Sequence, residues 1–329
     1  MGKTDTVTKN YMRRPDVFAD VFNQFLYHGR QMILPDRLVE LDTTEIAVPY
    51  GTGQALVPEQ KYRDVAKLLT AMTDGKAAYC ILAVENESKI NYAMPVKDGL
   101  YDFMQLAKQV TETANAHKKD KNSTVRPSTD EFLSGFWKSD RLLPVVTLVV
   151  YFGAEEWDGP LSLKEMYADV GKEILKYAAD YQINLIAPKR LSERKLNEFH
   201  TNFREIMKFI KYSTDSQQLK EKISSDKRFQ NVERQAVDVI NSVTGSKVKY
   251  SKRKEAVNVC IAIQEIREEG RMEGRMEGRM EGRQQGKIEG FILAYKEMGR
   301  SQEEAKTYIT MKCEKNEEEA DALIKKYWK

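Results

Sequence analysis

The run Ile81-Leu-Ala-Val-Glu85-Asn-Glu87-Ser-Lys89 constrains this chain more than any other stretch, because an apolar, strand-like segment ends abruptly in two carboxylates spaced two apart. Side chains at i and i+2 of a strand share a face. Glu85 and Glu87 would then sit roughly 7 Å apart at Cα and could converge on one divalent ion. Asp64 lies 21 residues before Glu85, in a second candidate strand. Asp74-Gly75 reads as a hairpin turn whose second arm is Ala77 to Val84, which would put Asp64 and Glu85 on paired strands. Ending such a run in Glu-Asn-Glu is unfavourable unless the charges find partners. The pattern points to a Mg²⁺ (or Mn²⁺) site suited to phosphodiester hydrolysis.

The 329 residues, 41% hydrophobic and 9% aromatic, suffice for a globular core, and 31% charged residues suggest long solvated helices. A formal net charge of only +3 gives no global argument for nucleic-acid binding, so such binding must rest on local patches. Cys80, Cys260 and Cys313 are odd in number and widely spaced, which argues against a disulfide framework and against a cysteine zinc site. No signal-like or membrane-spanning apolar run is present, so a cytoplasmic location and no membrane partner are expected. His28, His117 and His200 lack metal-ligand spacing, and Gly51-Thr-Gly53 lacks the Lys-Ser/Thr of a phosphate loop.

Helical spacing of Val17, Phe18, Val21, Phe22, Phe25 and Leu26 predicts a helix from Pro15 to about Tyr27. Lys61 to Leu69 fits strand or helix by periodicity alone. Asn91-Tyr-Ala-Met-Pro95 reads as a loop entering a helix from about Val96 to Val110, and polar residues Ala116 to Ser128 read as an exposed loop. Leu143 to Phe152 predicts a buried strand, and strands alternating with helices predict a mixed α/β core. Between Thr201 and Cys260 there are 13 Lys/Arg against 7 Asp/Glu, the best basic patch in the chain, which also fits a solvated helical surface.

Gly270-Arg-Met-Glu273 repeats three times in tandem and decays through Gly282-Arg-Gln-Gln and Gly286-Lys-Ile-Glu to Gly290. A glycine in every repeat costs a helix up to about 1 kcal/mol relative to alanine, and like charges stack at i, i+4. An isolated helix is therefore expected to be marginal. Two readings fit: self-association, pairing Arg with Glu between chains, or a solvated spacer. Ser301-Gln-Glu-Glu304 is a capping-box pattern, and with Asn316-Glu-Glu-Glu319 it predicts two short terminal helices.

Arg63-Asp64-Val, Ile81-Leu-Ala-Val-Glu85-Asn-Glu87-Ser, Tyr92-Ala-Met94-Pro95-Val-Lys97 and Tyr101-Asp102 together resemble the recombination-promoting nuclease/transposase family of the PD-(D/E)XK nuclease superfamily. Leu143 to Gly153 followed by Trp157 resembles its second core block, and the charged glycine repeats resemble those near its C-terminus. The likeness covers most of residues 15 to 290. It implies a four-stranded mixed sheet flanked by helices, with Asp64 and Glu85 as metal ligands. Glu87 stands where the family usually has Gln and the superfamily Lys, and Lys97 stands where the family tends to have Arg. Glu87 thus removes a donor to the scissile phosphate, and Lys89, at i+2, could reach back to replace it. Asp20 matches the family's N-terminal acidic position and could complete the metal site, although a solvated helix residue is the plainer reading. Lys97 and Tyr101 are candidate phosphate contacts.

The expected organisation is a PD-(D/E)XK-like α/β domain with a helical extension over 1–245, a repeat helix or linker over 250–290 and a small helical segment over 291–329. The expected function is a metal-dependent DNA endonuclease connected to recombination or mobile elements, with catalytic Asp64, Glu85, Glu87 and Lys89 and with RNA as a substrate still open. The rival is a catalytically inactive DNA-binding or oligomeric scaffold of the same fold. A homo-oligomer through the repeat helix is expected in either case.

Overall fold

The computed structural model of the protein describes residues 3–41, 44–47, 59–62, 64–70, 80–120, 126–251, 254–313 and 316–328. The Asp74-Gly75 turn and the Gly51-Thr-Gly53 loop expected from the sequence lie outside them. The chain divides into two compact units, Met1–Ala262 and Ile263–Lys329.

The first unit opens with α1 (Lys3–Arg13) and α2 (Pro15–Tyr27), followed by β1 (Leu38–Glu40), β2 (Thr44–Ala47), β3 (Glu59–Tyr62), β4 (Val65–Leu69) and β5 (Cys80–Glu87). Then come α3 (Met94–Lys119), α4 (Thr129–Ser134), β6 (Val145–Tyr151), α5 (Lys172–Leu175), β7 (Asn184–Ile186), α6 (Glu193–Leu196), α7 (Phe203–Tyr212) and α8 (Ser216–Ser224). The unit closes through β8 (Val232–Glu233), α9 (Arg234–Thr244) and β9 (Ala256–Val257). α10 (Val259–Glu297) follows, then α11 (Gln302–Lys312) and α12 (Glu317–Tyr327).

The architecture is mixed α/β. A five-stranded sheet has the order β1-β4-β5-β6-β7; β4 runs antiparallel to β1 and β5, while β6 runs parallel to β5 and β7. The four strands expected are therefore five. β7 adds alongside β6, and the Asn184 side-chain amide donates to the Thr147 carbonyl at 2.9 Å. β5 is central and buried on both faces from Ile81 to Glu85, which is why its sequence is a continuous apolar run rather than an alternating one. The stretch that fitted strand or helix contributes β3 and β4.

α2 forms where the 3.6-residue pattern predicts it, with Pro15 in its first turn. Phe18 and Phe22 are fully buried, their ring centroids 4.9 Å apart, and truncating either to Ala would cost about 3–5 kcal/mol. The helix stops at His28 and Gly29, both left-handed. A Cβ on Gly29 would stand 2.6 Å from the Glu198 carbonyl oxygen, so glycine is needed both for φ and for this close approach. α3 packs against β6 and starts earlier and ends later than expected, taking in part of the polar stretch assigned to a loop.

Three cations of the basic stretch 201–260 are held in ion pairs, and two of them, Arg204 and Lys208, are buried. Arg204 donates to Glu205 and Asp226 at 2.7 Å each, Lys208 to Asp226 at 2.9 Å, and Arg228 pairs with Glu205 at 2.9 Å. The cations so paired, Arg204 and Lys208 above all, hold the packed interior together and are not presented to a nucleic acid.

In the second unit the whole tandem repeat lies in the helix α10. Ile288 and Ile292 of that helix pack with Ala305 and Ile309 of α11 and Ala320 and Ile324 of α12. Ser301 with Glu304, and Asn316 with Glu319, each form the reciprocal capping box, as their spacing predicts. Among the described residues no helix is long and apolar enough to cross a membrane.

Candidate functional site

The sheet places the acidic residues at one end of two neighbouring strands. Val65 pairs with Val84, so Asp64 arrives beside Glu85 as β4 begins and β5 ends. The Asn86 backbone N–H donates to Asp64 Oδ2 at 2.8 Å and fixes that carboxylate across the strand pair. Glu85 and Glu87 lie opposite Val149 and Tyr151 in the parallel β5–β6 register, on a shared face. Met94, Val149, Tyr151 and Trp157 form the apolar cluster beneath that face.

Directly after β5 the chain bends, Asn91 Oδ1 accepts from the Ala93 N–H, and α3 starts with Pro95 in its first turn. Lys97 is carried in that turn. Its ammonium donates to Glu87 Oε1 at 2.6 Å and lies 3.2 Å from Glu85 Oε2. A cation in the first turn opposes the helix dipole, by about 0.3–1 kcal/mol, and α3 has no acidic residue there to compensate. The two carboxylates supply what the helix does not. Burial alone would lower the Lys97 pKa, but Glu85 and Glu87 overcome it and hold the ammonium well above the ordinary lysine range. Glu85, only 2% exposed, is in turn a buried carboxylate whose charge this pairing offsets.

Asp64 is more open, at 21% side-chain exposure, and its Oδ1 faces Lys9 Nζ at 3.8 Å. Lys89 lies in the bend past the end of β5 and is exposed, so the alternation that would have returned it to the Glu87 face has ended. The ammonium between the carboxylates is that of Lys97. Tyr101, one turn further along α3, is 5% exposed and belongs to the packed interior.

Asp20 is neither a solvated helix residue nor gathered with the other acids. Its carboxylate accepts from the His200 N–H at 2.9 Å, the Thr201 N–H at 2.8 Å and the Thr201 hydroxyl at 2.7 Å, tying α2 to the entry of α7. Among the described residues no three His, Cys, Asp or Glu side chains gather tightly enough to form a metal group. The donor chemistry nonetheless fits Mg²⁺ or Mn²⁺, because Asp64 and Glu85 offer hard carboxylate oxygens from adjacent strands and Mg²⁺ binds through as few as one or two carboxylates with water. Lys97 is then the group that competes for Glu85, while Lys9 faces Asp64.

Sequence reasoning missed a second polar cluster beside this face. Tyr181 OH lies 2.6 Å from Asp102 Oδ2 and 3.2 Å from Asp98 Oδ2, and the Thr147 hydroxyl donates to Asp102 Oδ1 at 2.6 Å. Burial, then Asp98 and Asp102, push the tyrosine hydroxyl far above its ordinary pKa, so it stays protonated. The signal available in the sequence was the Asp98/Asp102 pair at i, i+4 on a helix that packs against the sheet.

The chain matches no protein-family model, no curated protein and no solved structure.

Proposed function

We propose that this protein is a metal-dependent endonuclease of the PD-(D/E)XK type acting on DNA, in which Asp64 and Glu85 hold Mg²⁺ or Mn²⁺ and Lys97 contacts the phosphate. The observation that carries this reading is the bond from the Asn86 N–H to Asp64 Oδ2, which holds one carboxylate against the strand end bearing Glu85 and Glu87. A mixed sheet flanked by helices is also what the sequence resemblance implies, with four strands where this sheet has five.

When bound, the ion supplies Lewis acidity and neutralises charge on the phosphate. The chain's own residues do the rest. Asn86 orients Asp64, α3 carries Lys97 to the same face, and the elevated Lys97 pKa keeps a full positive charge for a phosphate oxygen. Glu87 holds Lys97 until a phosphate competes for it, and so takes the place of a donor with a carboxylate that restrains one.

A second reading, a catalytically inactive DNA-binding or oligomeric scaffold, is favoured by one observation: Lys97 already pairs with both Glu85 and Glu87. Incubating supercoiled plasmid, or a structured RNA, with the purified chain and Mg²⁺ or Mn²⁺ separates the two, with Asp64→Ala alongside and Mn²⁺ binding followed by calorimetry. Nicking that disappears in Asp64→Ala supports the enzyme. Nicking that survives the substitution removes the assignment, and absence of nicking by the unsubstituted chain favours the scaffold. A connection to recombination or mobile elements would follow only from the DNA-cleaving outcome.

A further inference from the structure

We infer that the tandem repeat of α10 is a seam for a second copy of this chain, centred on Met272, Met276 and Met280 and paired in parallel. This stands independently of the nuclease reading. The three methionines are 58%, 65% and 71% exposed, a large unbranched apolar side chain in every repeat. At the end of the same four-residue row, Ile288 and Ile292 are 3% and 0% exposed beneath α11 and α12. Residues of this row are thus buried where a helix covers them.

Apart from Arg271, which has Glu268 three residues before it, the repeat charges meet no opposite charge one turn away within α10. In a Gly-Arg-Met-Glu repeat every i+4 neighbour of an Arg is Arg and every i+4 neighbour of a Glu is Glu within the repeated block, while i+3 neighbours are Gly or Met. Opposite charge for the rest must come from outside the helix.

Helical geometry decides how. Each residue turns about 100°, so seen from Met276 the residues Arg275 and Arg279 flank one side and Glu273 and Glu277 the other. A two-fold axis parallel to the helices sets the Arg flank of one copy against the Glu flank of its partner on both sides of the methionines. A two-fold axis perpendicular to them sets Arg against Arg and Glu against Glu. Charge complementarity therefore selects the parallel pair.

Rows at i, i+4 are the ridges whose mutual packing gives crossings of about −50°. The row drifts about 40° per repeat, which confines the contact to the crossing, and Met272 to Met280 spans roughly 12 Å, about two turns. The glycine row falls on the far side, where a Cβ at Gly274, Gly278 or Gly282 would meet nothing within 4 Å. This pairing therefore does not use close approach over the glycines.

The test is made on the full chain. Light scattering at tens of micromolar and low salt should give twice the chain mass. R275E/R279E and E273R/E277R should each weaken that association at least about tenfold, with helicity checked by circular dichroism, and mixing the two variants should restore it. Gly274→Ala with Gly278→Ala should leave it intact. Under mild oxidation Met272→Cys alone and Met280→Cys alone should each give a cross-linked dimer absent from the unsubstituted chain, whose Cys80, Cys260 and Cys313 are the background. Cross-linking only in a mixture of those two variants would mean antiparallel pairing, a monomeric chain would remove the seam, and loss of association in the alanine variant would move it to the glycines. Each of these results overturns the proposal.

Discussion

Lys97 Nζ lies 2.6 Å from Glu87 Oε1, so the residue that departs from the expected Gln or Lys is the one that anchors the nearest cation on α3. The bond joins the end of β5 to the first turn of the following helix across only ten residues. It makes the acidic strand end and the basic helix start one electrostatic unit.

Asp64→Ala and Glu85→Ala should each abolish metal-dependent nicking, since the transition-state stabilisation at stake is on the order of several kcal/mol. Near-UV circular dichroism should stay native for Asp64→Ala. Glu85→Ala also removes a buried partner of Lys97 and should lower stability measurably. Full activity in either variant would sink the metal assignment.

Lys97→Met separates the two roles given to Lys97. Removing a cation that competes for Glu85 and Glu87 should tighten Mn²⁺ binding by about tenfold, or about 1.4 kcal/mol, while nicking falls. If calorimetry shows weaker Mn²⁺ binding instead, Lys97 organises the acids and does not compete with the ion.

Glu87→Gln and Glu87→Lys should keep or raise nicking, because either relaxes the hold on Lys97 and restores a donor at that position. Two inactive variants beside an active unsubstituted chain would identify Glu87 as a ligand.

Asp20→Ala leaves the His200 and Thr201 N–H groups without their acceptor and should cost about 2 kcal/mol or more in denaturant unfolding. Mn²⁺ affinity should not change. A weakened Mn²⁺ isotherm with unaltered stability would reinstate Asp20 as a ligand.

Part of the acid sensitivity should trace to Asp226, the lowered carboxyl that two buried cations share. Burial works to raise its pKa, but Lys208 and Arg204 more than offset that and hold the carboxyl below the usual range. A depressed folded pKa means that the stabilisation is fully present above the unfolded value of about 3.9 and is lost as pH falls through the lower folded value. Asp226→Asn should therefore be less stable at pH 7, by about 3–5 kcal/mol, and should show a flatter fall in stability from about pH 5 downward. An unchanged acid slope in urea titrations would remove Asp226 from the account.

The elements whose signals are local were legible from the sequence. α2 carries its own apolar period and its own proline, the capping boxes at Ser301 and Asn316 are complete within four residues, and β5 and β6 announce themselves as apolar runs. The pairing of β4 with β5 was also legible, since a hairpin joins near neighbours. The two edge strands, β1 and β7, were not, because Leu38–Glu40 and Asn184–Ile186 are three residues long each and are stabilised by β4 and β6, which lie far from them along the chain.

The sequence by itself determined which acids could share a face, since strand alternation is a property of the chain: Glu85 and Glu87 had to point the same way. It also determined that, Arg271 beside Glu268 apart, the repeat charges find no opposite partner three or four residues away. Only the tertiary structure decided which cation meets those acids and what Asp20 binds. Lys97 and Lys89 are equally basic in sequence, but the turn after β5 ends strand alternation and starts a helix, which swings Lys97 over the carboxylates and leaves Lys89 in solvent. Asp20 finds His200 and Thr201 across 180 residues because α2 and the entry to α7 pack together, and no pattern along the chain encodes a hydrogen bond whose two halves meet only when the core closes.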